Sequence, residues 1–91
     1  MSFVWNARKA RINIRDHGVS FEEAITAFED PFFVIAADDD HSFEEKRFII
    51  LGKSNAERLL VVAYAERGED TRLISAREAT RKERKNYEEE I

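Results

Sequence analysis

Two arginines and one histidine carry most of the chemistry this sequence offers. Arg47 opens an apolar run directly after an acidic stretch. Arg77 closes another run, with Ser75 two residues before it and so on the same side of an extended chain. Guanidinium groups at strand ends can fork onto a phosphodiester and neutralise charge developing on it. For either arginine taken alone, an ordinary solvated side chain is the favoured reading. His41 stands among Asp38, Asp39, Asp40, Glu44 and Glu45. Carboxylates around an imidazole favour its protonated form, which suits a general acid or base. The same groups could hold a hard cation, but three consecutive aspartates have no ligand spacing of their own. A solvated acidic loop is the plainest reading of that stretch. Arg81, Lys82, Arg84 and Lys85 are a basic run that reads as a solvated helix face or as a support for RNA backbone. His17, at a helix end, reads as a partner of the helix dipole.

The elements that must position these groups are marked by caps and turns. Phe3-Val4-Trp5 is a short apolar opening suited to an edge strand, and Asn6 stands at a helix N-cap position. Ala7 to His17 is basic and polar, and Gly18 follows as a C′ glycine. Ser20-Phe21-Glu22-Glu23 predicts a capping box, in which Glu23 reaches back to the Ser20 amide. Phe21, Ala24, Ile25 and Phe28 then form a helical stripe, and Asp30-Pro31 ends it. Strands are predicted over Phe32–Ala37, Arg47–Lys53, Arg58–Glu66 and Thr71–Arg77, joined by turns into an antiparallel meander. In the last strand, alternation puts Thr71, Leu73, Ser75 and Arg77 on one face and Arg72, Ile74 and Ala76 on the other. Thr80-Arg81-Lys82-Glu83 is a second capping box opening a charged helix, on which Tyr87 reads as an anchor before a base-stacking platform. The phenylalanines and the tryptophan read as core. The fold class is α+β, with two N-terminal helices and one C-terminal helix packed on a small antiparallel sheet. Residues 1–91 form one domain.

Composition narrows the class. The 91 residues are 43% hydrophobic and 37% charged, which is too apolar for a disordered tail and too charged for a membrane protein. Without cysteine there are no disulfides or thiolate metal sites, and no signal sequence is apparent, so a cytoplasmic protein is expected. The net charge of −4 opposes nucleic-acid binding at first sight, yet the charges are uneven. Five acids and no base fall in 38–45, whereas eleven bases against nine acids fall in 46–91. Arginine outnumbers lysine ten to five, and phosphate contacts follow local potential rather than net charge.

In order, FVWN, HGVSFEEA, DHSFEEKRFIILG, RLLVVAYAERG and LISAREATRKERKNYE span essentially the whole chain. Together they resemble the BrnT toxin family. That resemblance implies a RelE-like fold and an endoribonuclease that stops translation and arrests growth. It also implies a ribbon-helix-helix antitoxin like BrnA, two toxins assembling with two antitoxins, and contact with operator DNA only through the antitoxin. Carried over by position, the catalytic candidates are His41, Glu45, Arg47 and Arg77. The RNA-binding candidates are Ser42, Lys46, Ser75, Arg81 and Lys82. The chain departs from the family pattern at Asn6, Asp16 and Lys46, where aspartate, lysine and a second acid are usual.

The expected reaction needs neither metal nor cofactor. Glu45 or His41 would deprotonate the 2′-hydroxyl, which attacks the adjacent phosphate while Arg47 and Arg77 hold the pentacoordinate charge. A second group would protonate the leaving 5′-oxygen. The rival expectations are a catalytically inactive RNA-binding or antitoxin-binding co-repressor module and, further behind, a magnesium nuclease built on Asp38 to Glu45.

Overall fold

Asn6 starts the first helix as its side-chain oxygen accepts the Lys9 amide at 3.1 Å, satisfying one of the orphan donors of the first turn. In the computed structural model, which describes residues 2–37 and 45–90, this helix α1 runs over Ala7–His17. It ends at Gly18, whose φ of +68° is a left-handed conformation that side-chain-bearing residues rarely adopt. Ser20 caps the Glu23 amide at 3.0 Å and opens α2 (Phe21–Thr26), which tightens into a 3₁₀ turn at Ala27–Glu29. The reciprocal half of the predicted box does not form. Glu23 bonds instead to Arg58 Nη2 at 2.5 Å and Nε at 3.0 Å and accepts from Ser54 Oγ at 2.7 Å, because a charged fork outcompetes a lone amide. The second box closes on both sides: Thr80 Oγ1 accepts the Glu83 amide at 3.2 Å, and Glu83 Oε1 accepts the Thr80 amide at 2.8 Å. It opens α3 (Arg81–Glu90).

The predicted meander is present as β2 (Val34–Ala37), β3 (Lys46–Lys53), β4 (Leu59–Arg67) and β5 (Asp70–Glu78). The opening strand β1 (Ser2–Val4) joins it beside β5, giving the order β1-β5-β4-β3-β2. That pairing is parallel, so the sheet is mixed where an antiparallel one was expected. A three-residue strand carries no pairing direction in its side chains. Its direction follows from the chain's need to enter α1, which packs against β5.

One face of the sheet is the core. Ile50, Leu60, Val62, Tyr64, Leu73 and Ala76 are buried there under Val19, Phe21, Ala24 and Ala27. Gly52 lets the 3₁₀ turn approach, since a Cβ at that position would lie 2.6 Å from the Ala27 carbonyl oxygen. Buried Asn13 ties α1 to β5: its amide nitrogen donates to the Ala76 carbonyl at 2.7 Å, and its oxygen accepts the Ala76 amide at 3.0 Å. Not every phenylalanine joins the core, because Phe32 is 55% and Phe33 39% exposed where the chain enters edge strand β2.

The expected alternation of β5 fails at a bulge. Ser75 pairs with Ala63 but Leu73 with Tyr64, which leaves Ile74 as an extra residue. Leu73 and Ala76 thereby both reach the core, and Arg72 moves to the opposite face with Ser75 and Arg77. Period-two reading assumes an unbroken ladder and cannot register an inserted residue. Among the described residues, no helix is long and apolar enough to cross a membrane.

Candidate active site

Register assembles a site on the sheet face opposite the buried core. The hairpin between β4 and β5 pairs Arg67 with Asp70 and therefore sets Arg72 opposite Ala65. On the other side of β4, Arg47 also lies opposite Ala65. Arg47 and Arg72 thus flank a small side chain in one row across three strands, with Arg67 two residues further along β4 on the same face.

Glu45, immediately before β3, supplies the anion at the centre. Its Oε1 accepts from Arg72 Nη2 and lies 3.6 Å from Arg47 Nε, while Oε2 lies 3.7 Å from Arg67 Nε. With Glu66 these residues line a cleft of about 500 Å³. The Glu45 side chain is only 15% exposed. Glu45 Oε2, Arg47 Nε and Arg72 Nε are buried without a hydrogen-bond partner among the described residues. Buried polar atoms are normally satisfied, and leaving one unpaired costs about 1–3 kcal/mol. Three guanidinium groups around one carboxylate with unspent donors and an unspent acceptor form a site suited to an anion that also offers a hydroxyl.

Arg77 lies elsewhere on this face. It pairs with Val61, four residues along β4 from Ala65, a backbone separation of about 13 Å. Its Nη1 and Nη2 fork onto Glu83 Oε1 and Oε2, both at 2.8 Å. That fork, opposed by partial burial and helped by the Thr80 amide, holds the Glu83 carboxyl down at about 2 and raises the Arg77 guanidinium. The structure therefore brings Glu45 and Arg47 together, as expected, but separates Arg77 from them. Ser75, opposite Ala63, lies between the two ends.

Lys46 pairs with Glu66 and alternates away from Arg47. Arg81 and Lys82 are exposed on the first turn of α3. His41 and Ser42, with Asp38, Asp39, Asp40 and Glu44, lie outside the described residues. Among the described residues, no three His, Cys, Asp or Glu side chains group as a metal site. Tyr87 anchors the last helix: it is buried, and its hydroxyl donates to Asp30 Oδ2 at 2.5 Å. Burial, and then the hydrogen bond to Asp30 and its charge, push that phenol up to about 12. Burial opposes the Asp30 carboxylate, but the Tyr87 hydroxyl and the Lys53 and Phe32 amides outweigh it and hold its pKa below the usual value.

Arg72 and Arg67 were not among the sequence candidates. The available signal was the Arg67-Gly68-Glu69-Asp70 turn, which fixes the hairpin register and with it the partner of Ala65.

Two comparisons bear on this geometry. A family model described as "Ribonuclease toxin, BrnT, of type II toxin-antitoxin system" matches residues 5–83. The 1.1 Å crystal structure of the Brucella abortus ribonuclease toxin, BrnT, is similar to this chain with a TM-score of 0.68. That match is 21% identical and covers 89% of this chain and 99% of the other, a likeness of fold. No curated protein matches the chain.

Proposed function

Since this chain belongs to the BrnT family of ribonuclease toxins of type II toxin–antitoxin systems, we propose that it cuts RNA in the Glu45–Arg47–Arg72 cleft without a metal. The observation that carries this reading is the arginine row around a carboxylate with one unspent oxygen. Glu45 Oε2 accepts the proton of the RNA 2′-hydroxyl, and that oxygen attacks the adjacent phosphorus. Arg47, Arg72 and the more exposed Arg67 hold the phosphate oxygens as negative charge builds, the work a cation would otherwise do. His41, four residues before Glu45 in the chain, protonates the departing 5′-oxygen, and Ser42 contributes to RNA binding. The products are a 2′,3′-cyclic phosphate and a 5′-hydroxyl, and DNA is spared because it lacks the nucleophile. A positioned base contributes about 10² to 10⁴ in rate and one charge-stabilising donor about 10² to 10³.

Arg77 contacts a neighbouring phosphate rather than the scissile one, along a line continued by Ser75, Arg81 and Lys82. Lys46, on the other face, assists RNA only at the rim. Cleavage of cytoplasmic RNA blocks translation and arrests growth. The type II family implies an antitoxin, which we assign to the BrnA-like ribbon-helix-helix class. Two toxins pair with two antitoxins, and operator DNA is reached through the antitoxin alone. Three helices on a five-stranded sheet support a RelE-like assignment.

One observation favours a second reading. Glu45 already carries Arg72, and Arg77 already carries Glu83, so the module could bind RNA or antitoxin as an inactive co-repressor. Incubating purified protein with total RNA in excess EDTA separates the two. Cyclic-phosphate ends produced by wild type and lost in Glu45→Gln support cleavage. Bound but intact RNA supports the co-repressor.

A further inference from the structure

The cleavage reading leaves the most basic helix unused. Arg8, Arg11 and Arg15 stand three and four residues apart on α1, so they share one side of it. With half-buried Ile12 they line a shallow depression of about 320 Å³. Arg8 and Arg11 are exposed and make no ion pair among the described residues. The one acid of this helix, Asp16, pairs with Arg15 at 2.8 Å. Like charges at this spacing repel, and in a chain of net charge −4 such a cluster is not a by-product of an overall basic composition. The helix packs against β5 through Asn13, with Ala10 turned to the core. The Glu45 cleft opens on the opposite side, so the two basic surfaces are separate.

We propose that the Arg8–Arg11–Arg15 stripe is a second RNA-backbone site, gripping single-stranded RNA that flanks the segment held in the cleft. This rests on the RNA-cleavage reading above. Arginine forks onto phosphate, and three arginines along one helix side track a phosphate backbone. A helical peptide docking in a groove needs apolar anchor pockets, and Ile12 is the one apolar residue lining the depression. The strand must also turn around a body 32 × 26 × 23 Å across. Single-stranded RNA bends that sharply with little resistance, whereas a DNA duplex, with a persistence length of about 150 bp, does so only at an elastic cost.

The test is fluorescence anisotropy with an uncleavable 2′-O-methyl RNA 30-mer, comparing wild type, Arg8→Gln/Arg11→Gln and Arg8→Lys/Arg11→Lys. Glutamine and lysine keep good helix propensity, and circular dichroism checks the fold. The glutamine pair should weaken binding at least tenfold and lower the salt slope by about 1.4, two contacts at roughly 0.7 each. The lysine pair should recover most of the binding. Cleavage by the glutamine pair should fall further on a 30-nucleotide RNA than on a hexamer. Unchanged affinity and salt slope would overturn the proposal, and so would tighter binding of duplex DNA of the same length. If wild type binds but never cuts, and the glutamine pair loses binding, the cleavage reading fails and the stripe stands.

Discussion

The two ends of one sheet face hold the same ingredients in opposite states. Around Glu45, three arginines crowd one carboxylate, and three buried polar atoms have no hydrogen-bond partner among the described residues. At Arg77, one arginine and one carboxylate meet in a bidentate fork, and the same Glu83 also caps the last helix. A satisfied pair fixes an element in place. An unsatisfied cluster keeps bonding capacity in reserve, and that reserve is what a phosphodiester in transition could use. The fork holds α3 where it is, and register sets Arg72 rather than Arg77 beside Arg47.

The sharpest way to break this contrast is at its centre. Glu45→Gln keeps the shape but removes the proton acceptor, and the cleavage rate should fall about 10² to 10⁴-fold in a protein with an unchanged circular dichroism spectrum. Near-wild-type cleavage would take the base role away from Glu45. A smaller effect is expected at the other end of the face. Tyr87→Phe removes the hydroxyl bond to Asp30 and should cost about 1–2 kcal/mol in urea unfolding, with cleavage of short RNA much less affected than by Glu45→Gln. The folded-state phenol titrates near 12, above its ordinary 10. Its stabilisation is therefore complete below pH 10 and lost as pH rises through 12, and Tyr87→Phe should abolish that alkaline loss.

The smallest expected effect is the acid response of the fork itself. Glu83 titrates near 2 against an ordinary 4.5, so its contribution is present above pH 4.5 and lost as pH falls toward 2. Arg77 and Glu83 side chains are 41% and 30% exposed, which limits the pair to about 1 kcal/mol or less. Tyrosine fluorescence and acid unfolding should show Glu83→Gln losing that component; an acid profile identical to wild type would leave the fork without energetic weight.

Local chemistry was legible in the residues, and long-range register was not. Asn6, Gly18, Ser20 and Thr80 mark helix ends through bonds within a few residues, and all four do so in the structure. Glu23 departed because Arg58, far away in sequence, offered a stronger partner. Arg72 was assigned the wrong face because the extra residue at Ile74 belongs to the pairing of two strands, not to the pattern of one. Glu45 and Arg47 were legible as a pair because only Lys46 separates them, at the entry of one strand. Arg77 looked equivalent to Arg47 at the end of a strand, and only the register of β4 shows that the two lie four residues apart.

The central claim is that the cleft, not the fork, performs the chemistry. Its most direct test is the cleavage rate of RNA in excess EDTA for Arg72→Ala beside Arg77→Ala, both confirmed as folded. The account predicts a loss of about 10² to 10³ for Arg72→Ala and a loss at least tenfold smaller for Arg77→Ala. An equal or larger loss for Arg77→Ala would contradict it and return the scissile phosphate to the other end of the face.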